Sequence, residues 1–113
     1  MKRFELSDLK EGAHIHFIGI GGISMSGLAV ILLERGYKVT GSDRQKTHIT
    51  DRLEKMGAVV FEGHDAVNIQ GADLIVHTAA VHNDNPEMSA ALEKGIHLPS
   101  GDALIRFLED YCS

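Results

Sequence analysis

Six consecutive residues, Gly19-Ile20-Gly21-Gly22-Ile23-Ser24, have the composition of a phosphate-holding turn. Glycine at 19 permits a tight turn, and glycine at 21 permits close approach of a ligand to the backbone. Position 21 is also a candidate for positive φ. If a helix follows, its first N–H groups lack intrahelical acceptors and carry partial positive charge, which suits a diphosphate. The turn contains neither Lys nor Arg, so an anion there would be held by backbone dipoles alone. Ser24 replaces the third glycine of the usual G-x-G-x-x-G pattern and is small enough for close helix–strand packing.

Asp43, 24 residues after Gly19, is the next candidate. A carboxylate at that spacing can accept hydrogen bonds from a ribose diol or a base N–H. Arg44 beside it would suit a 2′-phosphate, or simply face solvent. Seven histidines invite a metal reading. His14 and His16 share one face of a strand, but no Cys, Asp or Glu stands near them in ligand spacing, so packed strand histidines are expected. His48, His77, His82 and His97 are scattered, with His82 nearest a candidate loop. Ser24, Ser26 and Thr78 offer hydroxyls without any Ser-His-Asp order. Met25, Met56 and Met88 read as core, and the single cysteine, Cys112, as an accessible thiol.

These residues need elements to position them. His14 to Ile18 reads as a strand ending at the glycine turn. Met25, Leu28, Ala29, Leu32 and Leu33 then recur at helical spacing up to Gly36. Lys38–Ser42 reads as strand two, Ile49, Leu53 and Met56 as a second helix, Ala58–Phe61 as strand three and Leu74–Thr78 as strand four. A turn near Ala66 to Ile69 fills the short connection between the last two. Asn85-Pro86 is a helix start, with Asn as cap and Pro in the first turn; Met88, Ala91 and Leu92 form its apolar face and Gly95 its end. A short strand at Ile96–Leu98 and a helix lined by Leu104, Phe107, Leu108 and Tyr111 complete the pattern. Such alternation implies right-handed crossovers and an α/β, Rossmann-like three-layer fold, with about five mainly parallel strands and helices on both faces.

Composition narrows the classes. The chain has 113 residues, 43% hydrophobic and 24% charged, with a formal net charge of −5. That is one ordinary globular domain, residues 1–113. An acidic balance argues against a nucleic-acid partner, which would call for a basic face. No apolar run approaches the roughly 18 residues of a membrane span. A soluble, reduced, cytoplasmic domain is expected.

Four ordered segments carry a resemblance. They are His14-Ile15-His16-Phe17-Ile18 with Gly19 to Gly27; Tyr37-Lys38-Val39-Thr40-Gly41-Ser42-Asp43; Glu62-Gly63-His64 through Asn68 with Gly71-Ala72-Asp73; and Asn83-Asp84-Asn85-Pro86-Glu87. Together they resemble the opening of the Mur ligases, in particular the members that join L-alanine to UDP-N-acetylmuramic acid in peptidoglycan synthesis. The resemblance implies the first of three domains, Rossmann-like and holding UDP-N-acetylmuramic acid in place of NAD. It implies that Gly19, Ile20, Gly21, Gly22, Ile23 and Ser24 cradle the diphosphate and that Asp43 contacts the uridine. His64 and Thr78, Ala79, Ala80 and Val81 would complete the wall. Ser24 departs from the glycine common in the family loop, and His77-Thr78-Ala79-Ala80 stands where a Ser-Ser-Ala-type turn is usual.

The same resemblance implies ATP and Mg²⁺ for the full-length enzyme, which activates a carboxylate as an acyl phosphate. None of the twelve glycines here is followed by lysine, so the chain has no phosphate-binding lysine loop. No cofactor and no catalysis are expected of it alone. Its expected partners are UDP-N-acetylmuramic acid and the remaining ligase domains, with no nucleic acid, membrane or obligate protein partner. The competing readings are a free-standing NAD(P)-binding regulatory module, served by the same Gly19, Gly21 and Asp43, and a structural turn without ligand.

Overall fold

The computed structural model describes residues 12–78 and 80–96. Strands β1 (His14–Ile18), β2 (Lys38–Asp43), β3 (Val59–Glu62) and β4 (Leu74–Val76) form one parallel sheet in the order β3-β2-β1-β4. They alternate with helices α1 (Ile23–Glu34), α2 (His48–Lys55) and α3 (Pro86–Lys94), and a 3-10 turn at Ala66–Ile69 joins β3 to β4. This is the Rossmann-like α/β arrangement that the alternation predicts. Four strands are described where about five are expected; the fifth-strand residues beyond Ile96, the final helix, Cys112 and Ala79 lie outside the described residues. β2 runs one residue further than expected and β3 is displaced by one residue, from Ala58–Phe61 to Val59–Glu62, because Asp43 and Glu62 still pair in register. β4 ends at Val76, which leaves Thr78 beyond the strand.

Alternation along β1 sends Ile15 and Phe17 to one face of the sheet and His14, His16 and Ile18 to the other. On the first face Ile15, Phe17, Val39, Val60, Leu74 and Val76 pack under Met25, Leu28, Ala29 and Leu32 of α1 and Leu53 of α2. On the second, Ile18 packs with Ile69, Ile75, and Met88 and Ala91 of α3. Burying each such side chain stabilises the fold by about 1.5–3 kcal/mol, so Leu32→Ala, at a fully buried position, is the kind of change that opens the core at about 2–5 kcal/mol.

Two core expectations are corrected. Met56 is 44% exposed, because α2 stops at Lys55 and Met56 is its C-cap. Leu92 is 52% exposed, because α3 turns only Met88 and Ala91 into the second cluster. Thr47 and Thr50 form a reciprocal capping box on α2. Both ends of α3 behave as read. Asn85 Oδ1 accepts from the N–H groups of Glu87 (2.9 Å) and Met88 (3.3 Å), and Gly95 closes α3 at φ +68°.

Candidate functional site

The glycine turn is fastened to β2. Gly19 and Ile20 both donate to the Ser42 carbonyl (2.8 and 3.0 Å), Gly22 donates to the Gly19 carbonyl (3.2 Å), and Gly21 donates to Asp43 Oδ2 (2.8 Å). Ile20 is fully buried and lies over Gly41, where a Cβ would come within 2.5 Å of it. Gly41 is thus a packing glycine in mid-strand, required by the turn above it. Gly19 takes φ +86°, whereas Gly21 is not among the positive-φ glycines, which corrects that expectation. Position 21 excludes a side chain for a different reason: a Cβ there would meet Asp43 Oδ2 at 2.7 Å.

Four of the six turn N–H groups therefore have internal acceptors. Those of Ile23 and Ser24, followed by Met25, have none among the described residues, and they open α1. Gly22, the N-cap, provides no side-chain cap, and the first turn contains no acidic residue. This leaves the positive end of the helix dipole uncompensated. Ile23 is 87% exposed. It lines an open groove of about 200 Å³ between α1 and α2, with Ser26, Gly27, Ile49, Arg52 and Met56 among the other walls. Asp43, His64 and Gly19 to Gly22 do not line that groove.

Asp43 accepts twice from the backbone, from Gly21 through Oδ2 and from Arg44 through Oδ1, each at 2.8 Å. The residue is partly buried at the end of its strand. The Asp43 carbonyl accepts from Gly63 N–H at 2.7 Å, which places His64 next to it past β3. Past β4, Thr78 and Ala80 are exposed and Val81 packs against the second cluster. The Thr78 carbonyl accepts from Val81 N–H at 3.2 Å. Asp43 is the last residue of β2, and the turn, His64 and Thr78 follow carboxyl ends of strands, where open α/β sheets hold ligands.

Glu87 is the residue that sequence reasoning missed. It is fully buried and accepts from five donors. His16 Nε2–H (2.5 Å) and the Ser42 hydroxyl (2.8 Å) reach Oε1; Asp65 N–H (3.2 Å), Asn68 Nδ2–H (3.2 Å) and His64 Nδ1 (3.3 Å) reach Oε2. Burial by itself would push this carboxyl up. The hydrogen bond and charge of His16, with bonds from Ser42 and Asn68, outweigh burial and hold it below the ordinary glutamate range. The network continues across the sheet: Thr40 Oγ1 lies 2.7 Å from both His16 Nδ1 and His14 Nε2. His14 is pushed below the usual histidine value, chiefly by burial. One signal did announce such a partner. His14, His16, Thr40 and Ser42 fall on a single face of strands that a helix must cover, and a buried polar face needs a polar partner.

The family model described as "Mur ligase family, catalytic domain" matches residues 14–111. The chain belongs to the Mur ligase family. It is 52% identical over 102 residues, 90% of its length, to the UDP-N-acetylmuramate–L-alanine ligase of Clostridium tetani. With the enzyme of that name from Caldanaerobacter subterraneus it shares 57% identity over 89 residues, 79% of its length. It spans about a fifth of the length of these relatives, 22% and 19% respectively. Among solved structures, the UDP-N-acetylmuramate–alanine ligase of Thermotoga maritima superposes with a TM-score of 0.77 at 37% identity, covering 87% of this chain and 22% of that one. An NAD-dependent epimerase/dehydratase homologue from Bacillus halodurans superposes at 0.57 and 16% identity, covering 79% of this chain and 50% of that one. That likeness shows the fold alone. Among the described residues no helix is long and apolar enough to cross a membrane.

Proposed function

We propose that this Mur ligase segment binds UDP-N-acetylmuramic acid at the carboxyl ends of β1, β2 and β3, as the N-terminal domain of a cytoplasmic ligase that joins L-alanine to it. The open N–H groups of Ile23 and Ser24, which follow the Gly21 that Asp43 holds, in a chain so similar to ligases named for this reaction, carry the reading. The diphosphate lies over the start of α1, held by those N–H groups and the helix dipole. Gly19 to Gly22 shape the turn beneath it. Asp43 and His64 address the uridine, and Thr78, Ala80 and Val81 border the crevice on the β4 side. ATP and Mg²⁺ do not fit the residues present, because no glycine precedes a lysine. Carboxylate activation belongs, in this reading, to further domains of the ligase, and the 113-residue chain alone forms no amide bond.

Calorimetry with UDP, UDP-N-acetylmuramic acid and NAD tests the proposal. The reacting carboxylate lies on the far side of the sugar and no cation in the turn reaches it. The first two ligands are therefore expected to bind within about tenfold of each other, and NAD markedly more weakly. Tightest binding of NAD would overturn the reading.

A further inference from the structure

His64 joins the buried network through one ring nitrogen only. Its Nδ1 lies 2.8 Å from Ser42 Oγ and 3.3 Å from Glu87 Oε2. Ser42 has a single hydroxyl proton, and that proton goes to Glu87 Oε1 at 2.8 Å. Toward His64 the serine oxygen can then only accept, and an ionised Glu87 can only accept as well. With an acceptor on each side, Nδ1 must carry the proton. The other nitrogen, Nε2, has no hydrogen-bond partner among the described residues. Among the described residues no buried side-chain nitrogen or oxygen lacks one, so Nε2 of this partly exposed side chain is not buried. On a neutral ring it is a bare acceptor.

We infer that Glu87, acting with Ser42, is a positioning pair that holds His64 in its Nδ1–H form and presents Nε2 at the strand ends to an N–H or O–H donor of the bound nucleoside. The nucleoside's identity rests on the function proposed above; the tautomer does not. A uridine offers two kinds of matching donor, the imide N–H of the base and the ribose hydroxyls. A base with an unprotonated ring nitrogen at that place, such as cytosine, would set one lone pair against another. The arrangement therefore selects among nucleotides that the diphosphate cradle cannot distinguish.

The first test is ¹⁵N NMR of the histidine side chains in the whole chain at about pH 8, where an ordinary imidazole is neutral, with His64→Gln to assign the resonances. The expected result is a protonated Nδ1 and a bare Nε2 for His64. Glu87→Gln is expected to move the ring toward the Nε2–H form that free histidine favours. A wild-type His64 protonated on Nε2 overturns the inference, whether or not the variant folds. The second test compares UDP with N3-methyl-UDP, 2′-deoxy-UDP, 3′-deoxy-UDP and CDP. CDP or the analogue lacking the matched donor is expected to bind at least about tenfold more weakly, with the gap shrinking in folded Glu87→Gln. Equal binding of all five overturns the recognition role. Failure of UDP to bind at all defeats the proposed function and leaves the tautomer result standing.

Discussion

Asp43 Oδ2 accepts the Gly21 N–H at 2.8 Å, and the same oxygen lies 2.7 Å from where a Cβ on residue 21 would sit. The carboxylate at the end of β2 and the glycine in the turn after β1 are thus one device. Asp43 needs the bare backbone to approach, and the turn needs the carboxylate to fix its second half. A Gly21→Ala variant should displace Asp43 and lose about 1–3 kcal/mol of stability along with UDP binding. In an Asp43→Ala background the same substitution should cost distinctly less, since the obstructing oxygen is gone. Gly22→Ala is the control, because its nearest neighbour, the Gly19 carbonyl, is 3.5 Å from the added carbon. Chemical denaturation of the cycle checks this; additive losses would mean that Asp43 is not the obstacle.

Asp43→Asn separates support of the turn from ligand recognition. The amide oxygen can still accept from Gly21 while the bond from Arg44 N–H is given up, so the melting temperature should fall only modestly. UDP should bind more weakly by about 1–3 kcal/mol through loss of charge-assisted hydrogen bonds, while pyrophosphate binding holds. Calorimetry on both ligands decides it, and equal losses would show that Asp43 acts only through the fold.

Ile20 and Gly41 form the other clasp between turn and strand. A methyl group at position 41 would lie 2.5 Å from Ile20 Cβ, too close for a side-chain rotation to relieve. Gly41→Ala should destabilise the chain by about 1–3 kcal/mol, and it should cost less in an Ile20→Ala background, where the Cδ1 and Cγ2 contacts are gone and only the Cβ remains. A Gly41→Ala protein as stable as the parent, measured by urea unfolding, would mean that the clasp is loose.

Acid should weaken the fold in two stages. His14 is held below the ordinary 6.5, mainly by burial. From about pH 6.5 downward the unfolded chain therefore takes up this proton before the native one does, and stability falls until the native group titrates too. Glu87, below its ordinary 4.5, adds a second decline of the same sign under about pH 4.5. Each proton contributes a slope of at most about 1.4 kcal/mol per pH unit. Urea midpoints across pH should show both stages, with His14→Gln removing the upper and Glu87→Gln the lower. Stability that rises between pH 7 and 5 would contradict the upper stage.

Glu87→Ala should be among the most damaging single changes, at about 3–5 kcal/mol, because it leaves His16 and four further donors facing an empty buried space. A variant with near-parental unfolding midpoints would mean that water replaces the carboxylate without loss.

Local order along the chain was legible from residue types alone. A glycine-rich turn after an apolar run, helical spacing from Met25 to Leu32, and the Asn85-Pro86 start with its Gly95 stop each depend on neighbours a few positions away. Short-range sterics and hydrogen bonding decide such features, and the four described strands fall within a residue or two of where they were expected. Placement of Gly19, Asp43, His64 and Thr78 at strand ends followed from the same pattern. Tertiary structure alone decided what those residues touch. Gly21 reads in sequence as room for a ligand and proves to be room for Asp43. Met56 and Leu92 fit a helical period but miss the core, because a period says which side a residue faces and not whether anything covers it. Glu87 reads as an ordinary first-turn acid at the start of α3. Its partners His16, Ser42 and His64 lie 71, 45 and 23 positions away in the chain, and only the strand order β3-β2-β1-β4 under α3 brings them to one carboxylate.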